Sequence, residues 1–99
     1  MDRGWFVGDF EPVAFKTTGT EVAIKSYKVG EIDKRHHHKI ATEITTICSG
    51  EVEMNGQRFG AGDIIVIEPN ESCRFQAIQD TLTVVVKVPA TRGDKYLDE

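Results

Sequence analysis

Gly30-Glu-Ile-Asp-Lys-Arg-His-His-His-Lys-Ile-Ala-Thr-Glu-Ile-Thr-Thr-Ile-Cys-Ser-Gly50 holds every histidine of the chain between two glycines. If residues 35–39 are extended, alternate side chains take opposite faces, so His36 and His38 point one way and His37 the other. Their Cα atoms would stand roughly 6.6 Å apart along a strand rising about 3.3 Å per residue, close enough for both rings to converge on one ion. Glu43 follows after a short connection and can supply an oxygen. Two imidazoles and one carboxylate with open positions form the ligand set of non-haem iron sites, and manganese, nickel or zinc also suit it. The competing reading is a solvated strand beside Lys34, Arg35 and Lys39. His37 is expected at the surface or in a subunit contact.

Outward from this stretch the chain reads as strands and turns. Residues 4–15 are aromatic-rich and broken by Gly8 and Pro12, as in one or two short edge strands or an ordered arm. Core packing by Trp5, Phe6, Phe10 and Phe15 is expected there ahead of a lid role. Residues 21–29 mix Val22, Ile24, Tyr27 and Val29 with lysines and show no helical stripe, which predicts a strand, and residues 30–34 read as a polar connection. Residues 43–54 are β-rich with a bend at Ser49-Gly50. Asn55-Gly56 is a hairpin signal, because a type I′ turn needs positive φ at both central positions. Ile64-Ile-Val-Ile67 reads as a strand buried on both faces, and residues 73–78 and 81–88 as two more strands. Parity places Thr45 and Ile47 with Glu43, and Phe75 and Ala77 with Cys73, on inward faces. Cys48 points away.

With 99 residues the chain has room for one domain. We expect residues 1–20 to form an N-terminal arm or edge strands, 21–88 the barrel core and 89–99 a polar, partly ordered tail. The 12 basic and 16 acidic residues are scattered, which speaks against a nucleic-acid footprint or a polybasic membrane patch. No apolar run approaches the roughly 20 residues of a membrane span, and the first residues lack a signal-peptide core. The two cysteines form neither a disulfide framework nor a paired-cysteine zinc site, so reduced thiols and a cytoplasmic location are expected. Eight to ten short strands separated by turn residues make an all-β barrel or sandwich.

The chain resembles the cupin family of small β-barrels. The family's first motif is a Gly, five residues, His-x-His, three or four residues, Glu, six residues and Gly. Gly30, His36, His38, Glu43 and Gly50 meet every fixed position of it. The second motif is half present. Gly62 opens it, but Glu68 stands at the proline position with Pro69 one later. Asn70 replaces a glycine, Cys73 the third histidine and Ala77 an asparagine. The resemblance covers about residues 21–88. It implies a double-stranded β-helix (jelly-roll) barrel with His36, His38 and Glu43 as metal ligands in its mouth. Cys73 stands at the remaining ligand position, where a thiolate would favour softer metals and a neutral thiol would be a small buried residue.

The leading expectation is therefore a small cupin that binds one divalent transition metal (iron, manganese, nickel or zinc) beside a pocket for a small organic ligand. Such a site suits dioxygenase, isomerase or lyase chemistry, without deciding that the protein is an enzyme. The alternative is a non-catalytic or metal-free binding or sensing module. A third reading pairs His36 or His38 as base with Tyr27 as acid. A homodimer is expected, with the aromatic arm covering a strand edge.

Overall fold

In the computed structural model of the chain, which describes residues 4–91 and 93–98, Asn55 and Gly56 have φ of 51° and 81°. They turn β6 (Glu51–Met54) onto β7 (Gln57–Gly60), which pair antiparallel as the Asn-Gly signal predicts. The remaining strands are β1 (Trp5–Gly8), β2 (Phe15–Lys16), β3 (Glu21–Tyr27), β4 (Ile32–His37), β5 (Thr42–Ser49), β8 (Ile64–Ile67), β9 (Cys73–Ala77), β10 (Thr81–Val88) and β11 (Tyr96–Leu97). They form a six-stranded sheet in the order β2-β1-β3-β10-β5-β8 and a five-stranded sheet in the order β11-β4-β9-β6-β7. The architecture is an all-β double-stranded β-helix, as expected.

The core lies between the sheets. Ile47, Val52, Met54, Ile67, Cys73 and Phe75 form one buried cluster, with Tyr27, Phe59 and Ile65 packed against it. Thr45, Ile47, Phe75 and Ala77 are buried and Cys48 is exposed, so strand parity assigns these faces correctly.

Several local expectations need correction. The polar connection before the histidines is shorter than read, because β4 already begins at Ile32. Its pairing with β9 slips between Asp33 and His36: three steps along β4 face two along β9, from Phe75 to Cys73. This bulge puts Asp33 and His36 on the same face despite their unlike parity. The run of residues 64–67 is a strand, but Ile64 is 65% and Val66 51% exposed, because β8 is the edge of its sheet and only one of its faces meets the core. The aromatic arm supplies the edge strand β2 and its neighbour β1, with residues 1–3 outside the described residues. None of its four aromatics is buried, and Phe15 is exposed. The polar tail is docked. β11 pairs β4 through Tyr96 and His37, and Asp94 is buried. Residues 92 and 99 of that tail lie outside the described residues.

Candidate metal centre

His36 and His38 come from the end of β4 and the residue beyond it, in the five-stranded sheet, and Glu43 from the start of β5 in the other sheet. One ligand atom from each lies within 4.8 Å of the others, and both histidines are buried. The rings meet edge to face, with centroids 5.4 Å apart. His36 Nδ1 lies 2.8 Å from the Lys34 carbonyl oxygen. A carbonyl only accepts, so in the neutral ring Nδ1 carries the proton and Nε2 keeps its lone pair for an ion.

Burial is the main cause of two opposite shifts here. It pushes His38 down to about 4, helped by Lys87 and His36, so this ring is neutral at neutral pH. It pushes Glu43 above the usual carboxylate range, against the opposing pull of His36, Lys25 and Lys87. The neutral His38 ring, a second imidazole with Nε2 free for an ion and a desolvated carboxylate wanting a counter-charge fit a borderline divalent ion.

Cys73 does not join these donors. It pairs with His36 across β4 and β9, yet its side chain belongs to the core cluster. Burial, then Glu43 and Asp33, push its thiol up to about 12, which keeps it protonated at neutral pH. Its place is the wall of a small inner pocket of about 30 Å³, with Tyr27, His36 and Glu43. Burial also raises the Tyr27 phenol, followed by Asp33 and Glu43, so Tyr27 stays a hydrogen-bond donor.

Above the donors opens a cavity of about 330 Å³. Trp5 and Phe10 wall it, so the arm contributes to the mouth and not to the core. Lys25 and Lys87 point inward from β3 and β10, their Nζ atoms 5.1 and 5.7 Å from the Trp5 ring centre. Lys87 also lies 3.3 Å from Glu21 Oε1, an ion pair without hydrogen-bond geometry, and that buried oxygen accepts no hydrogen bond among the described residues. Lys25, Lys87 and Asp33 were not singled out from the sequence. Register-matched parity supplies the missing signal: Glu21 and Glu43 both face Lys87, and Lys25 faces Thr83.

The tail fixes the connection that carries His38. Asp94 accepts hydrogen bonds from the N–H groups of Lys39 (2.9 Å), Ile40 (3.1 Å) and Ala41 (2.9 Å). Burial would raise its pKa, but these three donors hold it below the ordinary carboxylate value. His37 turns away from the centre. Its Nδ1 lies 2.7 Å from Asp98 Oδ1, and its ring stacks on Tyr96. Ser72 Oγ donates to the other Asp98 oxygen at 2.6 Å. His37 is thus half-buried and held by its own chain.

No family model matches the chain, and no curated protein matches it. Solved structures do. An uncharacterized conserved protein with a double-stranded β-helix domain from Klebsiella pneumoniae is 26% identical, with a TM-score of 0.77 over 84% of this chain and 73% of its own. A cupin protein from Bacteroides fragilis is 27% identical, with a TM-score of 0.62 over 77% of this chain and 70% of its own. The DMSP lyase DddQ from Ruegeria pomeroyi is 21% identical with a TM-score of 0.77; 98% of this chain matches 52% of that one.

Proposed function

The chain is a small cupin by fold, and on that premise we propose that it holds one divalent transition metal on His36, His38 and Glu43 and binds a small organic anion beside it. The convergence of these three donors at the floor of one cavity carries the reading. Charge supports the anion. Among the described residues, Lys25, Lys87 and Lys95 face Glu21, Asp33, Glu43 and Asp94 around the cavity, three cations against four carboxylates. Three minus four leaves one negative charge, and a divalent ion turns this into one positive charge. Lys25 and Lys87 then orient the anionic group, Trp5 and Phe10 exclude water, and the protonated Tyr27 offers a hydrogen bond at the inner end. A bound iron, manganese, nickel or zinc ion would supply Lewis acidity toward a carbonyl or carboxylate oxygen, as lyase, isomerase or dioxygenase reactions use it. The reduced cysteines fit a cytoplasmic setting.

Metal analysis of protein purified without added ions tests the centre. We expect near-stoichiometric transition metal, lost in His36→Ala and His38→Ala. Absence of metal, with unchanged ligand binding in both variants, would overturn the proposal. A panel of small carboxylates titrated with and without metal tests the anion, which should bind at least tenfold more weakly without metal or in Lys87→Met.

One observation favours a second reading, a binding or sensing module without catalysis. Cys73 stands at the remaining ligand position as a buried, protonated thiol, which leaves three donors among the described residues. Oxygen consumption and product formation over the carboxylates that bind separate the two. Tight binding with no turnover under any of the four metals selects the module.

A further inference from the structure

The segment 93–98 touches each part of the chain that carries a histidine donor. At its start, Asp94 caps the N–H groups of Lys39, Ile40 and Ala41, the connection that begins beside His38. In its middle, Tyr96 and Leu97 pair with His37 and His36 on β4. Tyr96 stacks on His37, and Lys39 Nζ lies 4.3 Å from the centre of the Tyr96 ring. At its end, the Asp98 N–H donates to the Arg35 carbonyl oxygen at 3.0 Å, while the Asp98 carboxylate holds His37 and Ser72. On the inner side Gly93, Asp94 and Lys95 line the cavity, and Lys95 Nζ lies 3.3 Å from Asp33 Oδ1. The attachment is slender. β11 has two residues, Tyr96 is 38% and Leu97 67% exposed, and no described side chain of the segment belongs to the apolar cluster. A short ladder with little apolar burial lies at the low end of local stability, where a segment opens without global unfolding.

We propose that residues 93–98 are a strap that the metal closes: docked, it sets the positions of His36 and His38, and it opens more often when the ion is absent. The inference rests on the metal centre proposed above. An ion needs both rings and Glu43 within reach at once, and the docked arrangement provides this, with one ligand atom of each within 4.8 Å of the others. Undocking removes the acceptor of the three N–H groups beside His38 and one of the two pairing partners of His36. Both rings then gain freedom that coordination must take away again. The ion therefore binds the docked state more tightly, and by linkage it shifts the strap toward docking. Asp94 is the positioning residue of this device and Asp98 its anchor. The loop between β8 and β9 serves both ends, since Asn70 donates its N–H to the His38 carbonyl oxygen at 2.6 Å and Ser72 donates to Asp98. Because Gly93, Asp94 and Lys95 form one side of the cavity, the same motion opens and closes the mouth around the organic ligand.

Amide hydrogen exchange and zinc titration of the full chain test the proposal. Zinc at saturation should slow exchange of the Ala41 and Asp98 amides by on the order of tenfold. Asp98→Ala, which frees the strap, should weaken zinc binding by the same factor, measured by competition with a chelator, because coupling between two equilibria is reciprocal. Ser72→Ala leaves β4 intact and removes one of the hydrogen bonds to the Asp98 carboxylate. It should weaken zinc binding about threefold with an unchanged circular dichroism spectrum. A merely structural role for the segment would lower the melting temperature of these variants and leave exchange indifferent to zinc. Exchange that zinc does not slow, or wild-type zinc affinity in Asp98→Ala and Ser72→Ala, overturns the strap alone. Zinc that fails to bind the wild type overturns the metal centre, and the strap with it.

Discussion

Gly30 and Gly50 bracket the histidine stretch, and both have positive φ, 89° and 93°. Their surroundings differ. A Cβ at Gly30 meets nothing within 4 Å, whereas at Gly50 it lies 2.4 Å from the Asp80 carbonyl oxygen and 2.8 Å from the Thr81 Cα. Gly30→Ala therefore meets only the left-handed backbone penalty of about 1–2 kcal/mol. Gly50→Ala adds a backbone clash that β10 must move to relieve, and should cost more than about 3 kcal/mol. Urea denaturation of the two variants checks the order, and equal losses would refute it. Cys73 gives a second contrast. A protonated thiol in the core predicts that Cys73→Ser buries a hydroxyl where an apolar neighbour sat, at a cost of about 1–3 kcal/mol. Metal affinity should change less than about twofold, measured by competition with a chelator, because the donor group omits Cys73. A thiolate ligand would instead lose affinity by tenfold or more.

At the scale of elements, the tail matters most for the site, through one carboxylate. Asp94 satisfies three backbone donors between His38 and β5, so Asp94→Ala leaves them without an acceptor and should cost about 2–3 kcal/mol. The pH dependence has a definite sign. Asp94 is held below its ordinary pKa, so its contribution is present above the unfolded value of about 3.9 and is lost as pH falls through the lower folded value. Thermal melts of wild type and Asp94→Asn should therefore converge on acidification below about pH 4 and stay apart at neutral pH. A gap independent of pH would mean that the carboxylate charge is not what caps the loop. Little of this was legible beforehand, because Asp94 sits 53 residues from Ala41 in a stretch with the composition of a loose end. What was legible rests on local rules: the His36 and His38 spacing, the Asn55-Gly56 turn, and the parity of Thr45, Ile47, Phe75 and Ala77. Face assignment failed where a local rule was too simple. A continuous aliphatic run predicted two-sided burial for residues 64–67, and only the strand order makes β8 an edge. On β3 and β10, hydrophobic alternation would point Val22, Ile24, Val84 and Val86 inward. The cavity's polar lining reverses them.

For the molecule as a whole, the donors link the two sheets: His36 and the adjoining His38 come from β4 of one and Glu43 from β5 of the other. An ion bound there joins the halves of the barrel at the mouth, where the apolar cluster does not reach. Binding to the folded state alone stabilises by about 2.7 kcal/mol at a hundredfold excess over the dissociation constant. For a chain of this size that raises the melting temperature by on the order of 10–20 °C. Glu43 sets the opposite balance without the ion. Its pKa is raised, so the folded state disfavours its charge, and the metal-free protein loses stability as pH climbs from the ordinary glutamate value through the folded one. Glu43→Gln removes that charge and keeps the shape. At neutral pH the metal-free variant should melt above the metal-free wild type, and added metal should raise the wild type past it while leaving the variant nearly unchanged. Calorimetry on the four samples reads both effects. A metal-free Glu43→Gln protein that melts below wild type would mean that Lys25, Lys87 and His36 already compensate the buried carboxylate, and the site would then have no unmet charge for a cation to satisfy.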